Sequence, residues 1–164
     1  MTTVRIFAYG TLITGARCPE VRALLERHLV SRREAFVRGR LYDLGPYPGL
    51  VPSPRRSERV HGEVLELRSP ERCVAALDDY EDYDPQRPRA STYRREWCRV
   101  GLTEGGSAWA WVYWYQGRLN EARRLPDGDW RRWVARLRGG GGQASSGHER
   151  QHLRQVAVNK HNGE

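Results

Sequence analysis

VRIFAYGTL, at residues 4–12, joins a short apolar strand to a turn. Val4, Ile6, Phe7 and Ala8 supply the strand, and Gly10 between Tyr9 and Thr11 lets the backbone reverse sharply. A strand so placed needs partners, and the pattern predicts them at residues 34–43, 60–67, 92–102 and 108–115. The last two flank Glu104, Gly105 and Gly106, a hairpin turn. Residues 45–56, which include Tyr47, Pro48 and Gly49, read as a Pro/Gly loop.

Helices fill the gaps. One starts at Pro19, with Val21, Leu24, Leu25 and His28 on one face. A second is predicted over 71–81, with Ser69 as N-cap and Pro70 at its first position. A third is capped by Asp127 or Asp129 and carries the apolar stripe Trp130, Trp133, Val134 and Leu137. Six tryptophans and eight tyrosines against a single methionine favour a strand-rich interior over a helix bundle. The fold class is therefore α+β.

The 164 residues suffice for one domain, assigned to 1–138. Residues 139–164 begin with four glycines and continue polar, the composition of a flexible linker and a disordered tail. Net charge is +8 and comes almost wholly from arginine, since Lys160 is the only lysine. The arginines are scattered among acids, which reads as a solvated surface and makes nucleic acid an unexpected partner. Cys18, Cys73 and Cys98 show no paired spacing and read as reduced, mostly buried thiols of a cytoplasmic protein. No apolar run approaches the roughly 20 residues of a membrane span.

Chemistry is sought in the acidic cluster Asp78, Asp79, Glu81 and Asp82. At about 100° per residue, Glu81 falls some 40° from Leu77, inside the stripe of Cys73, Val74, Leu77 and Tyr80. Asp78 lies at the stripe's edge, while Asp79 and Asp82 point away. A carboxyl on an apolar face loses hydration, so its pKa rises towards the range where it can exchange a proton at neutral pH. A second element is the turn after the first strand, where successive backbone N–H groups beside Gly10 could converge on a carboxylate.

In order along the chain stand FAYGTL, YPG at Tyr47 to Gly49, VHGEVLEL at 60–67, LDDYE at Leu77 to Glu81, YRREWCRV at 93–100 and AWVY at 110–113. Taken together these segments resemble the γ-glutamyl cyclotransferase-like family, in the branch of γ-glutamylamine cyclotransferase and the plant avirulence-induced proteins. The resemblance covers roughly residues 4–138. It implies a closed, mainly antiparallel β-barrel with flanking helices. It also implies that Glu81 is the general acid/base, that Tyr9, Gly10, Thr11 and Leu12 form the substrate-holding loop, and that Tyr113 lines the pocket. Many relatives carry glycine after the glutamate, where this chain has Asp82.

The implied substrate is a small γ-glutamyl compound whose α-amine attacks its own γ-carbonyl, giving 5-oxoproline and a free amine. Such a reaction needs no metal, cofactor or covalent nucleophile. A non-catalytic module of the same fold, binding an acidic metabolite or nucleic acid, is the competing expectation. His148, Glu149 and His152 form a literal HExxH, but arginines crowd it and no apolar face buries it, so no metal site is assigned. Trp109, Trp111 and Tyr113 are expected to be core rather than a base-stacking platform. His28 and His61 have no partner at ligand spacing and receive no role.

Overall fold

A computed structural model describes residues 2–16 and 18–139. In chain order the elements are β1 (Thr3–Ala8), α1 (Thr11–Thr14), α2 (Pro19–His28), β2 (Leu29–Asp43), β3 (Pro48–Pro52), β4 (Arg59–Arg68), α3 (Pro70–Tyr80), β5 (Tyr93–Leu102), β6 (Ser107–Tyr115), β7 (Arg123–Leu125) and α4 (Trp130–Gly139). Strands β2, β4, β1, β6 and β5 are hydrogen-bonded in that order, and β5 returns to β2, closing a five-stranded barrel. The closing pairs are Ala35 with Leu102 and Phe36 with Gly101. All neighbours in the ring run antiparallel except β1 and β6, which are parallel at Ile6 and Trp111. Closure leaves no open sheet edge around the ring.

Val4, Ile6, Phe7 and Ala8 of β1 are buried because both faces of its second half are covered, while Arg5 near its start stays exposed. Phe7 joins Val64, Val100, Val112 and Trp114 in the cluster that also holds the first turn of α4, at Trp130. Ile6 and Ala8 face the other way, into a second cluster with Val21 and Leu25 of α2 and Cys73 and Leu77 of α3. Burial of each such large side chain contributes about 1.5–3 kcal/mol, so these two clusters dominate the stability of the barrel and its helical cover. The compact unit extends through Val134.

The end of β1 depends on Gly62. A Cβ there would lie 2.2 Å from the carbonyl oxygen of Ala8 and 3.0 Å from the Phe7 ring. Gly62→Ala is therefore expected to push β1 off β4 just before the turn at Tyr9. The expected cost is about 1–3 kcal/mol, read as a lowered midpoint in thermal unfolding.

Several expectations need correction. The loop predicted over 45–56 contains β3, which pairs with residues 39–43 of β2. Pro48 and Pro52 disguised it, yet proline is compatible with the ends of an edge strand. β2 starts at Leu29 rather than 34, and β7 pairs with its far end. Ser69 has φ 54 and makes no side-chain cap, whereas Asp129 accepts from the amides of Arg131 and Arg132. Trp109 is not core: it is 50 % exposed and stacks on Trp97, on outward positions of β6 and β5. Cys18 and Cys98 are only partly buried. The linker and tail residues from 140 onward, and HExxH at 148–152, lie outside the described residues. Among those described, no helix is long and apolar enough to cross a membrane.

Candidate active site

α3 ends where its carboxyl cluster begins. The amide of Glu81 still reaches the carbonyl of Leu77 at 2.9 Å, and that of Tyr83 doubles back to Asp78 at 2.8 Å. Between them Asp82 sits at φ 52, the left-handed region that glycine adopts freely and aspartate tolerates. Asp82 is held there by Thr92, whose hydroxyl donates to its carboxylate and whose amide donates to its carbonyl. The turn fixes the direction in which Glu81 leaves the helix.

Glu81 faces a cleft lined by Tyr9, Gly10, Thr11, Leu12 and Tyr113, so all six residues named from the sequence meet at one place. Tyr47, Pro48 and Tyr93 complete the wall. The cleft measures ≈ 20 Å³, room for about one water molecule. Burial alone raises the Glu81 pKa, to about 8. Asp79 and Asp82 are exposed, as their helical positions predict, but Asp78 is only 6 % exposed and more deeply placed than the stripe's edge suggests.

Four phenols surround the carboxyl. Burial is the main cause that holds Tyr9, Tyr47, Tyr93 and Tyr113 above the ordinary phenol range, and the charge of Glu81 pushes each further. They remain neutral at physiological pH. The Tyr9 hydroxyl donates to the Tyr113 carbonyl at 2.8 Å, Tyr93 to the Pro48 carbonyl at 2.7 Å, and Tyr113 to the Asp78 carboxylate at 2.7 Å. Tyr93 meets Tyr47 and Tyr115 edge-on.

The turn after β1 is pinned on two sides. Thr11 hydrogen-bonds Tyr80 at 2.7 Å, tying α1 to the end of α3. A Cβ at Gly10 would come within 2.7 Å of the Pro48 ring, so only glycine lets the two loops close on each other. The amides of Ile13 and Thr14 return to the Gly10 carbonyl. Those of Thr11 and Leu12 belong to a first helical turn, whose N–H groups the helix cannot satisfy itself.

Sequence reasoning gave Tyr93 no role in the site and carried Tyr47 only as part of the YPG loop. Their signal was only that Tyr47 sits beside Pro-Gly and Tyr93 opens a strand. It also missed Arg95, whose guanidinium lies 3.0 Å from Asp78 and over the Trp111 ring. Among the described residues no group of three or more histidines, cysteines or carboxylates is placed to hold a metal ion.

Barrel, helical cover and the position of the turn define the class: a γ-glutamyl cyclotransferase-like protein. Residues 6–132 match the family described as Gamma-glutamyl cyclotransferase, AIG2-like, and the chain belongs to that family. A Vibrio cholerae serotype O1 protein, provisionally named γ-glutamylcyclotransferase, is 34 % identical over 125 residues, which cover 76 % of this chain and 93 % of that protein. The γ-glutamylcyclotransferase family protein YtfP of Escherichia coli K12 is 36 % identical over 90 residues, 55 % of this chain and 66 % of its own. The crystal structure of an AIG2-like protein from Mus musculus superposes with TM-score 0.56 at 27 % identity, covering 74 % of this chain and 82 % of that one. YkqA of Bacillus subtilis shares the fold at TM-score 0.60 and 20 % identity, over 85 % of this chain and 44 % of its own.

Proposed function

We propose that the protein is a γ-glutamyl cyclotransferase-type enzyme that releases 5-oxoproline and a free amine from a γ-glutamyl compound, with Glu81 as general acid/base. The observation that carries this reading is one desolvated carboxyl, with pKa about 8, sharing a narrow cleft with the Tyr9–Leu12 turn.

In this reading the amides of Thr11 and Leu12 hold the substrate's α-carboxylate, and the chain folds back so that its α-amine meets the γ-carbonyl. Both partners belong to one molecule, so positioning removes much of the entropic barrier. An α-ammonium has an ordinary pKa of about 8, close to that of Glu81, and proton transfer between matched groups is efficient. Glu81 takes one proton from the α-ammonium, which frees the lone pair that forms the new N–C bond, and gives that proton to the leaving nitrogen as the γ-amide C–N bond breaks. The second proton shed by the attacking nitrogen goes to the released amine, which departs as an ammonium. Tyr113, on the wall of the cleft, contacts the substrate. The activity belongs to residues 1–138 in this proposal, and a cytoplasmic location belongs to it too, on the ground of the unpaired thiols Cys18, Cys73 and Cys98.

The test is a panel of γ-glutamyl compounds (a peptide, an isopeptide with lysine, γ-glutamyl amino acids) incubated with the full chain and scanned for 5-oxoproline by mass spectrometry. At least one compound is expected to yield 5-oxoproline and amine in equal amounts. A panel without product, under conditions where the protein is folded, would sink the reading.

A further inference from the structure

The phenols around Glu81 share a property that their positions alone do not convey. A hydroxyl has one proton to donate, and three of the four have committed it away from the carboxyl: Tyr9 and Tyr93 to backbone carbonyls, Tyr113 to Asp78. Carbonyl acceptors leave no alternative for the first two. Tyr113 differs, because its acceptor is a side chain that could in principle donate instead if it carried a proton.

Burial pushes the Asp78 carboxyl above its ordinary range, a rise opposed by the Tyr113 hydrogen bond and by Arg95. Its guanidinium lies 3.0 Å from the second carboxylate oxygen of Asp78, and it is itself held over the Trp111 ring at 4.6 Å and the Tyr83 ring at 5.5 Å. Both partners are largely buried, at 15 % and 9 % side-chain exposure, so the pair is little screened by solvent. A carboxylate so paired accepts only. The Tyr113 oxygen must then turn its lone pairs away from Asp78, and Tyr113 lines the cleft.

We infer that Asp78, ion-paired with Arg95, is a positioning residue that fixes the Tyr113 hydroxyl as a hydrogen-bond acceptor towards the cleft, where it receives an N–H of the substrate's α-ammonium. The inference rests on the cyclotransferase reading. It adds the reason why a cation is recognised there: away from the Thr11 and Leu12 amides the cleft offers lone pairs, ring faces and one carboxyl, while the Tyr9, Tyr93 and Tyr113 protons are all engaged elsewhere. Asp78 touches no substrate and acts through Tyr113.

The test is steady-state kinetics of the full chain carrying Asp78→Asn, Tyr113→Phe and both, with the best γ-glutamyl substrate and a melting curve for each. Tyr113→Phe is expected to raise KM about tenfold, the size of one hydrogen bond to a charged donor, with a smaller change in kcat. Asp78→Asn, whose amide can donate to the phenol and occupy its lone pair, is expected to raise KM by a similar factor. In the Tyr113→Phe background it should change KM less than about twofold. An Asp78→Asn enzyme with wild-type KM overturns the inference, as does a KM effect of equal size in both backgrounds, which would mark a merely structural role. Should Asp78→Asn not fold, inhibition of the wild type decides: a glutaric acid monoamide, which lacks the α-amine, is expected to bind at least about tenfold more weakly than the γ-glutamyl parent. Equal binding overturns it. Absence of wild-type turnover overturns the reaction and this inference together, whereas turnover without the Asp78 effect removes the inference alone.

Discussion

Replacing Glu81 with glutamine is expected to lower turnover of the best γ-glutamyl substrate by about 10³-fold while leaving the fold intact. The amide matches the carboxyl in shape but cannot shuttle a proton. Among the described residues that line the cleft, Glu81 is the only carboxyl, so none of these neighbours can take over. The backbone bonds that end α3 do not involve the replaced group. The same assignment fixes the pH profile: kcat/KM of the wild type should fall on the acid side with an apparent pKa near 8, where an ordinary glutamate would place the limb near 4.3. A Glu81→Gln enzyme within tenfold of the wild type, or an acid limb near 4, would remove Glu81 from the chemistry.

A second expectation concerns stability. Glu81 binds its proton more tightly in the folded chain, at about 8, than in the unfolded chain, near 4.5. Between these values the folded state holds a proton that the unfolded state has lost. Stability linked to this group is therefore full below pH 4.5, declines as pH rises through the interval, and is gone above pH 8. Over that interval the loss is on the order of 4 kcal/mol, roughly 10 °C in melting temperature for a chain of this size. Glu81→Gln lacks the titration. The variant should match the wild type at pH 5 and exceed it at pH 9, in melting curves compared pair by pair so that other titrating groups cancel. Parallel curves for the two proteins across that range would show that the carboxyl is hydrated.

What the chain revealed in advance follows from which forces are local. β1, β4, β5 and β6 were legible because each is a continuous apolar or alternating run, and the Gly105–Gly106 turn, with both residues at positive φ, marked the hairpin. β3 was not, because its ends are prolines and, among the described residues, the only strand it pairs with is β2. The first residues of β2, with arginines at 32 and 33, gave no strand signal; their register is set by β4. At the site, the helical wheel singled out Glu81 and rightly set aside Asp79 and Asp82. It underrated Asp78, which is buried against Tyr113 of β6 and Arg95 of β5. Tyr47 and Tyr93 reach the cleft only through barrel closure and loop docking, which no local pattern encodes. Trp109 was misread because alternation gives the period of a strand but not which of its two faces is covered.

The narrowness of the cleft bears on the fate of the γ-carbonyl. Two nucleophiles compete for such a carbon: the substrate's own nitrogen, and solvent. The space beside Glu81 holds about one water molecule, so a γ-glutamyl chain seated there in the proposed reaction displaces that water and has to widen the cleft. In that proposal the displaced water is the competitor for the γ-carbonyl, and the lactam is favoured over glutamate by exclusion rather than by any group that discriminates between the two attacks.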